Sequence, residues 1–387
     1  MVNMSGPVNA EVGRRLLWFV AASRGNAVVM GPSGSGKTVL MEAALGQSLS
    51  DYVVVVLDEV GAYSGYVDYH APYPINPARH LPPLALSLAI GDAVRAGGAM
   101  ELSTGAKLII ERAVAWLSNE EKAPIDISNH PRSLPGIAKA IEEAANKGVL
   151  NVEHAYEALW ALGRARHWML TTETHPLIER MLNGELRGRS VGIDLSGVHD
   201  GVAKWLYAIT LMKSMEEAGL KKVVLVIDEL WGSELPRTLI NWLMLEASRG
   251  RHVVLVSDAP PEEALKYVNA VVKFPYAYMS LKDLLAGRVD PDLTELSKYG
   301  PHTAKLYAYA TTEEAAKVLG LGTPGYTEMP IRVEKPEPKP SAVTLRKCVE
   351  EVARENAEDV LNDLKRNGFE KTKYQGEAKL VWECIGR

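Results

Sequence analysis

One eight-residue segment has the residue types and the spacing of a phosphate-binding loop. Residues 31–38 match the pattern G-x-x-x-x-G-K-[ST]. Its glycines let the backbone curl so that successive N–H groups face phosphate oxygens, and the N-terminus of the next helix adds its dipole. We expect Lys37 to reach the β- and γ-phosphates and Thr38 to hold Mg²⁺. With ATP and Mg²⁺ as the expected cofactors, the predicted nucleotide-binding set is Gly31, Pro32, Ser33, Gly34, Ser35, Gly36, Lys37 and Thr38.

A pair of carboxylates at the end of an apolar run is the second chemical feature. Residues 223–227 are apolar and lead into Asp228 and Glu229. A P-loop enzyme needs one Asp for the Mg²⁺ shell and a neighbouring carboxylate to activate water, so we assign Asp228 to the metal and Glu229 to the general base. Asp58 and Glu59 follow a similar run, but they come only about 20 residues after the loop. The intervening predicted strand at residues 191–195 favours the later pair.

The elements that must position these residues form an α/β pattern. Short apolar runs at residues 26–30, 52–57, 190–195, 223–227, 253–256 and 270–274 predict buried strands. Strands that are apolar throughout belong to a parallel sheet covered on both faces. Helical periodicity separates them, and it predicts the helix after the loop from Val39 onward, and helices at 202–218 and 235–247. The predicted fold class is therefore α/β, with a mostly parallel sheet.

One interval breaks this alternation. Residues 84–96, 105–117, 134–147 and 152–167 all carry helical patterning, and no convincing strand lies among them. We predict an ATPase core at residues 1–76 and 191–331 and an α-helical insertion at residues 77–190. Tyr156, Trp160, His167 and Trp168 are interpreted as the core of this insertion. The nine histidines lack metal-ligand spacing.

Composition limits the classes of function. The chain of 387 residues has a net charge of −5, which excludes binding nucleic acid through overall positive charge. No apolar run approaches the length of about 18 residues needed for a membrane span. The first residues lack the pattern of a secretory signal, so the cytoplasm is the expected location. Two cysteines cannot build a disulfide framework.

The C-terminal part is predicted to be a separate small domain. Residues 332–340 are proline-rich and predict a semi-rigid linker. Residues 341–387 suggest helix, helix and then two short strands around Gln375, which is the order of a winged helix. This segment contains nine basic and nine acidic residues. Because it is neutral, DNA contact and protein docking both stay open.

Both cysteines lie in this segment. Cys348 falls on the apolar stripe of its predicted helix, and Cys384 shares one face of the predicted final strand with Ala378, Leu380 and Trp382. Both sulfurs are expected in one small core. A disulfide and two buried thiols are the alternatives.

The sequence resembles the HerA/FtsK superfamily of ring-forming, DNA-pumping ATPases, nearest the HerA and conjugative secretion branches. The turn after Asp58, with Gly61 and Tyr63, is similar to the D-P-H-G-E-Y turn of that family. Residues 175–185 followed by 191–197 resemble its helical insertion and D-L-S strand. Residues 248–252 occupy the place of its arginine-finger segment, and Ser257 and Asp258 that of its S-Q sensor. The match covers about residues 10–310.

The resemblance implies that the α/β core is a RecA-like P-loop NTPase core, and it implies further site residues and partners. Arg249 or Arg251 is the expected arginine finger, and the sequence does not show which of the two has this role. Ser257 and Asp258 are the expected sensors, although Asp258 replaces the Gln of the family, and an ionised carboxylate cannot donate to a γ-phosphate. The Glu of the family turn is Ala62. A finger that acts on the nucleotide of a neighbour implies a homo-oligomeric ring, expected to be a hexamer.

Three hypotheses of function follow. The leading one is an ATP-driven ring that moves double-stranded DNA for packaging, conjugative transfer or uptake. The second is a regulatory P-loop ATPase whose C-terminal domain binds DNA or a protein partner. The third is an ATPase that secretes a pilin or another protein.

Overall fold

The computed structural model describes residues 9–47, 49–170, 173–229, 234–275, 296 and 302–386. The described strands form one ten-stranded sheet in the order β10-β3-β4-β2-β5-β6-β1-β7-β8-β9. The strand bounds are β1 Ala27–Met30, β2 Val53–Asp58, β3 Tyr69–Ala71, β4 Ser190–Asp194, β5 Val223–Asp228, β6 Arg251–Ser257, β7 Ala270–Lys273, β8 Thr303–Ala310, β9 Gly325–Arg332 and β10 Val343–Thr344.

Among the described strands the sheet is parallel from β10 to β7, and the β7–β8 and β8–β9 pairs are antiparallel. Strand β2 is apolar throughout because both of its faces are buried. Val53, Val55 and Leu57 pack into the hydrophobic core on one face, whereas Val54 and Val56 pack into a second core on the other. Successive side chains of a strand point to opposite faces, so a sheet covered on both sides needs this composition. The predicted mostly parallel α/β fold is confirmed.

Helices cover both faces of the sheet. Four of them pack with the second core and are α1 Ala10–Arg14, α2 Leu16–Ala22, α3 Lys37–Leu45 and α13 Glu313–Val318. The first core takes α10 Gly201–Glu217 and α11 Arg237–Asn241, and α12 Glu262–Leu265 also contributes to it. A π-helical turn, Trp242–Glu246, continues α11 toward β6. None of the described helices has both the length and the apolar character needed to cross a bilayer.

Residues 77–190 hold the helices that the periodicity predicted. They are α4 Pro77–His80, α5 Pro83–Ala96, α6 Thr104–Leu117, α7 Leu134–Asn146, α8 Val152–Arg164 and α9 Pro176–Leu182. The interpretation of Tyr156 and Trp160 as core is wrong, because they are 69% and 44% exposed. Their spacing places them on the outer side of α8, while Ala155 and Ala158 face inward. The domain boundaries themselves stay a prediction.

The winged-helix prediction is wrong in its second half. Residues 341–386 form three helices, α14 Leu345–Ala353, α15 Ala357–Lys371 with a kink at Gly368, and α16 Gln375–Ile385. The segment predicted as two strands is α16, because Ala378, Val381 and Ile385 recur at helical spacing and bury one stripe. Strand β10 joins the main sheet beside β3, and the three helices share its first core.

Cys348 and Cys384 are joined by a disulfide that connects α14 to α16, with 5.8 Å between their Cα atoms. Both sulfurs do lie in one core, as the sequence indicated. The expected reason was wrong for Cys384, which reaches that core from a helix rather than from a strand. The proline-rich stretch also packs on the sheet edge, where the Lys339 N–H donates to the Gly65 carbonyl at 2.7 Å.

Candidate nucleotide-binding site

The phosphate-binding loop lies between β1 and α3, as its motif requires. Gly31, Gly34 and Gly36 have φ values of 157°, 77° and 114°. A Cβ added at Gly34 would point into open space, so the backbone angle rather than crowding requires glycine there. Helix α3 begins at Lys37, and no side chain caps its N-terminus. The first N–H groups of this helix are therefore oriented for an anion.

Lys37 is buried and holds its ammonium inside the loop. Its Nζ donates to the Gly31 carbonyl at 2.7 Å and to the Pro32 carbonyl at 3.3 Å. It also forms a short ion pair with the carboxylate of Asp258. Only 6% of Lys37 is exposed, whereas about half of the Asp258 side chain is, at 53%. The loop lysine is thus paired with a protein carboxylate in the place where a phosphate would bind.

Asp228 is the last residue of β5 and Glu229 follows it, and in the sheet β6 lies between β5 and the P-loop strand β1. Burial, together with the nearby charges of Asp58 and Glu229, raises the pKa of Asp228 to about 7. Burial and the charge of Asp258 also raise the pKa of Glu229. The Glu229 N–H donates to the Val256 carbonyl at 2.8 Å, and its φ of 66° turns the chain away from the strand. These carboxylates therefore lie in a low-dielectric site that favours a cation.

The rival carboxylate, Asp58, has a different role in the structure. Its oxygens accept the N–H groups of Gly61, Ala62 and Tyr63 at 2.8, 3.1 and 2.9 Å. His70 contacts the same carboxylate at 2.9 Å. Because Asp58 holds a turn together, the geometry favours Asp228 as the metal carboxylate. Glu59 is likewise engaged, in an ion pair with Lys204.

Ser257 and Asp258 lie where the resemblance placed the sensors. Ser257 is the last residue of β6, and it is paired in register with Met30 at the end of β1. It is buried, at 6% exposure. Asp258 comes next in the chain and reaches Lys37. The fold therefore brings both residues to the loop, and the role of each as a sensor stays a prediction.

The two candidate finger residues lie at the opposite end of β6. This strand runs from Arg251 to Ser257, a span of about 20 Å at 3.3 Å per residue. Arg251 is buried, donates to the Leu220 carbonyl at 2.6 Å and pairs with Glu246. Arg249 pairs with the other oxygen of Glu246 at 2.6 Å, yet its side chain is 65% exposed. Neither arginine belongs to the site formed by the loop of its own chain.

Sequence reasoning missed two residues beside the loop. Phe274 follows β7 and is fully buried against Gly31 and Gly36. His302 precedes β8 and contacts Gly36. No motif marks either residue, since the contact arises only when β7 and β8 are placed next to β1. The apolar run that predicted β7, residues 270–274, was the one signal for Phe274.

Together the sheet order and the loop define a RecA-like P-loop fold. The solved structures that this chain resembles include the bacterial conjugative coupling protein TrwB with sulphate, at TM-score 0.51 and 13% identity over 83% of this chain and 89% of that one. The plasmid coupling protein TrwB with the ATP analogue ADPNP matches with the same values. VirB4 of Thermoanaerobacter pseudethanolicus matches at TM-score 0.48 and 15% identity over 80% and 89% of the two chains.

At these identities the likeness to TrwB concerns the fold. It is the fold that the resemblance to the HerA/FtsK superfamily implied. No protein-family model matches the chain, and no curated protein matches it.

Proposed function

We propose that the protein is an ATP-hydrolysing motor that assembles as a ring and moves double-stranded DNA. The observation that carries the proposal is the meeting of the loop, Lys37, Asp228 and Glu229 at one edge of a sheet with the fold of TrwB. A strand end with two carboxylates, two strands from a P-loop, is the arrangement that phosphoryl transfer uses.

The residues present fit Mg²⁺ and ATP. The positive-φ glycines and the uncapped start of α3 form a cradle for phosphates. In the described part of the chain no cluster of three or more His, Cys, Asp or Glu side chains could bind a metal ion by itself. This agrees with Mg²⁺, which is usually bound through one or two protein groups and the phosphates of the substrate. Thr38 and Asp228 would hold it, and the ion would neutralise charge on the phosphates.

Each of the side chains at the site then has its own role in hydrolysis. Lys37 leaves Asp258 and pairs with the β- and γ-phosphates. Glu229 orients and deprotonates the attacking water, and its raised pKa favours accepting that proton. Ser257 is placed to report the state of the γ-phosphate, because it ends the strand beside β1. Asp258 takes up Lys37 again when the phosphate departs.

Arg249 is the proposed finger. Its exposed guanidinium lies beyond the end of β6 that is opposite to the loop, and this strand is about 20 Å long, so we propose that it acts on the nucleotide of a neighbour. Arg251 is excluded from this role by its burial and by its pairing with Glu246. A finger supplied in trans requires an interface at every site, and a closed ring, proposed as a hexamer, provides one.

DNA is the proposed substrate. Two of the matched structures are conjugative or plasmid coupling proteins, which supports a DNA-transfer role for a chain with their fold. With a net charge of −5, contacts to DNA must be local. The C-terminal helices are the alternative surface for a protein partner.

The test is ATP turnover with and without linear duplex DNA, combined with electron microscopy in the presence of an ATP analogue. We expect rings and a turnover that DNA increases several-fold. A monomer whose turnover ignores DNA would contradict the motor. The Lys37–Asp258 pair favours a second candidate, a slow ATP-dependent switch, because it must break before phosphate can bind. A switch predicts tight binding and slow turnover that DNA barely changes.

A further inference from the structure

No sequence motif indicates which residues of the nucleotide site contact the nucleoside. Strand β1 lies between β6 and β7. Asp258 follows β6 and Asp228 ends β5, so the γ-phosphate end of a bound nucleotide faces that direction. Neighbouring strands are about 4.8 Å apart. The nucleoside must then extend the other way, over the ends of β7 and β8.

His302 lies on that side. It directly precedes β8, which runs antiparallel to β7 and pairs Lys305 with Lys273. The start of β8 is therefore at the same edge of the sheet as the loop. A Cβ added at Gly36 would lie 2.7 Å from His302 Nδ1 and 3.2 Å from its Cα. His302 thus contacts the residue that precedes Lys37.

The conformation of His302 is costly. Its φ is 58°, in the left-handed region that favours glycine. Its Nδ1 atom is buried and has no hydrogen-bond partner in the part of the chain that the structure describes. Strained backbone and unsatisfied polar atoms persist mainly where a ligand or a mechanism uses them. Both features occur in one residue, and that residue borders the loop.

The chemistry of the imidazole suits a nucleoside. Its two ring nitrogens can donate or accept hydrogen bonds with ribose hydroxyls, and its flat face can pack on a base. Phe274 borders the same glycine, with its Cε1 atom 3.1 Å from the added Cβ. Neither side chain carries a fixed charge opposite to phosphate, as Lys37 does.

We propose that His302 contacts the nucleoside part of the bound nucleotide and contributes to its affinity. The inference rests on the proposed ATP site and adds a residue to it. It predicts that removal of the imidazole affects ligands with a nucleoside and spares ligands that have only phosphates.

The experiment measures binding of ATP, ADP and inorganic tripolyphosphate, each with Mg²⁺, by calorimetry on the full chain. The variant is His302→Gly, which keeps the positive φ without strain and should fold as well as the wild type. We expect the Kd of ATP and of ADP to rise about 10-fold and that of tripolyphosphate to stay unchanged. His302→Asn, whose side chain tolerates the same φ, should show the same separation between ligands.

Asn119→Gly is the matched control, since Asn119 has a φ of 59° in an exposed loop. It should change none of the three affinities. An equal loss for tripolyphosphate would mean that His302 only braces the loop, and unchanged affinities would mean that it contributes nothing; either result overturns the inference. If the wild type binds neither ATP nor tripolyphosphate, the proposed function itself fails.

Discussion

Lys37 of the phosphate-binding loop is paired with Asp258, the residue that follows β6. The resemblance places a Gln at this position, and an amide could not neutralise a lysine. Phosphate binding therefore requires the Lys37 ammonium to exchange the Asp258 carboxylate for a phosphate.

Asp258→Asn should strengthen ATP binding, because it removes the carboxylate that competes for Lys37. A pair in which one side chain is 53% exposed contributes little, so we expect the Kd to fall about 3- to 5-fold. Titration with a fluorescent ATP analogue checks this. Glu262→Gln is the control, because it removes an exposed negative charge close by in the chain. An unchanged or higher Kd for Asp258→Asn would show that the pair does not restrain binding.

Lys37→Ala and Glu229→Gln should fail at different steps. Lys37→Ala removes the charge opposite the phosphates and should abolish binding. Glu229→Gln should leave binding intact and lower turnover by about 10²- to 10⁴-fold, because it removes the base. Binding and turnover are measured on the same preparations. Wild-type turnover by Glu229→Gln would contradict its role as the base and would favour Asp58 and Glu59 as the catalytic carboxylates.

Arg249→Ala and Arg251→Ala should also differ. Arg249→Ala should lower turnover by about 10³-fold with stability unchanged, as expected for a finger. Arg251→Ala removes the buried one of the two partners of Glu246 and should destabilise the fold by about 1–3 kcal/mol. Turnover and chemical denaturation separate the two effects.

Mixing Arg249→Ala with Lys37→Ala tests whether the finger acts in trans. A mixed ring contains some sites with an intact loop and an intact neighbouring arginine, so part of the turnover should return. No recovery at any mixing ratio would contradict shared sites.

Lowering the pH should weaken the contact between α16 and the core, because His175 becomes protonated. Its Nδ1 accepts the Leu177 N–H at 3.1 Å and its Nε2 donates to the Trp382 carbonyl at 3.3 Å, so the ring must be neutral. Burial lowers the pKa of His175 to about 4, from an ordinary value of 6.5. Between these values the unfolded chain binds more protons than the native state, and stability falls as pH falls.

The slope from this one histidine is at most about 1.4 kcal/mol per pH unit. The pKa values of His167 and His252 are also about 4 through burial, so His175→Asn should remove only part of the pH dependence. Denaturation between pH 4.5 and 7.5 measures the slopes. An unaltered slope in His175→Asn would contradict the assignment.

Reduction of the disulfide should destabilise the C-terminal helices. The bond closes a loop of 36 residues, which corresponds to about 3–4 kcal/mol in the chain-entropy model. Cys348→Ser with Cys384→Ser should lower the free energy of unfolding of this segment by that order. Hydrogen exchange in α14 and α16, with and without reductant, measures it, and exchange in β5 is the internal control. Equal protection in both states would show that the bond contributes nothing.

The sequence by itself determined the features that depend on neighbours in the chain. Residues 31–38 specify the loop because the glycine angles and the helix start are local, and the apolar runs specify strands covered on both faces. The same local periodicity misled at residues 375–385, where short apolar positions fit either a strand or a helix and packing on α14 selected the helix. Tyr156 and Trp160 were misplaced because spacing does not say which side of α8 meets a neighbour.

Only the tertiary structure distinguished residues that the sequence pattern left equivalent. It shows that Arg251 is buried beside Glu246 while Arg249 is exposed, and that Asp58 holds a turn, and these contacts support the proposed roles of Arg249 and Asp228. It also placed His302 against Gly36, although more than 260 residues separate them. Sheet order sets which strand ends meet, and no local pattern encodes that order, since it results from how helices on both faces bury the most apolar surface.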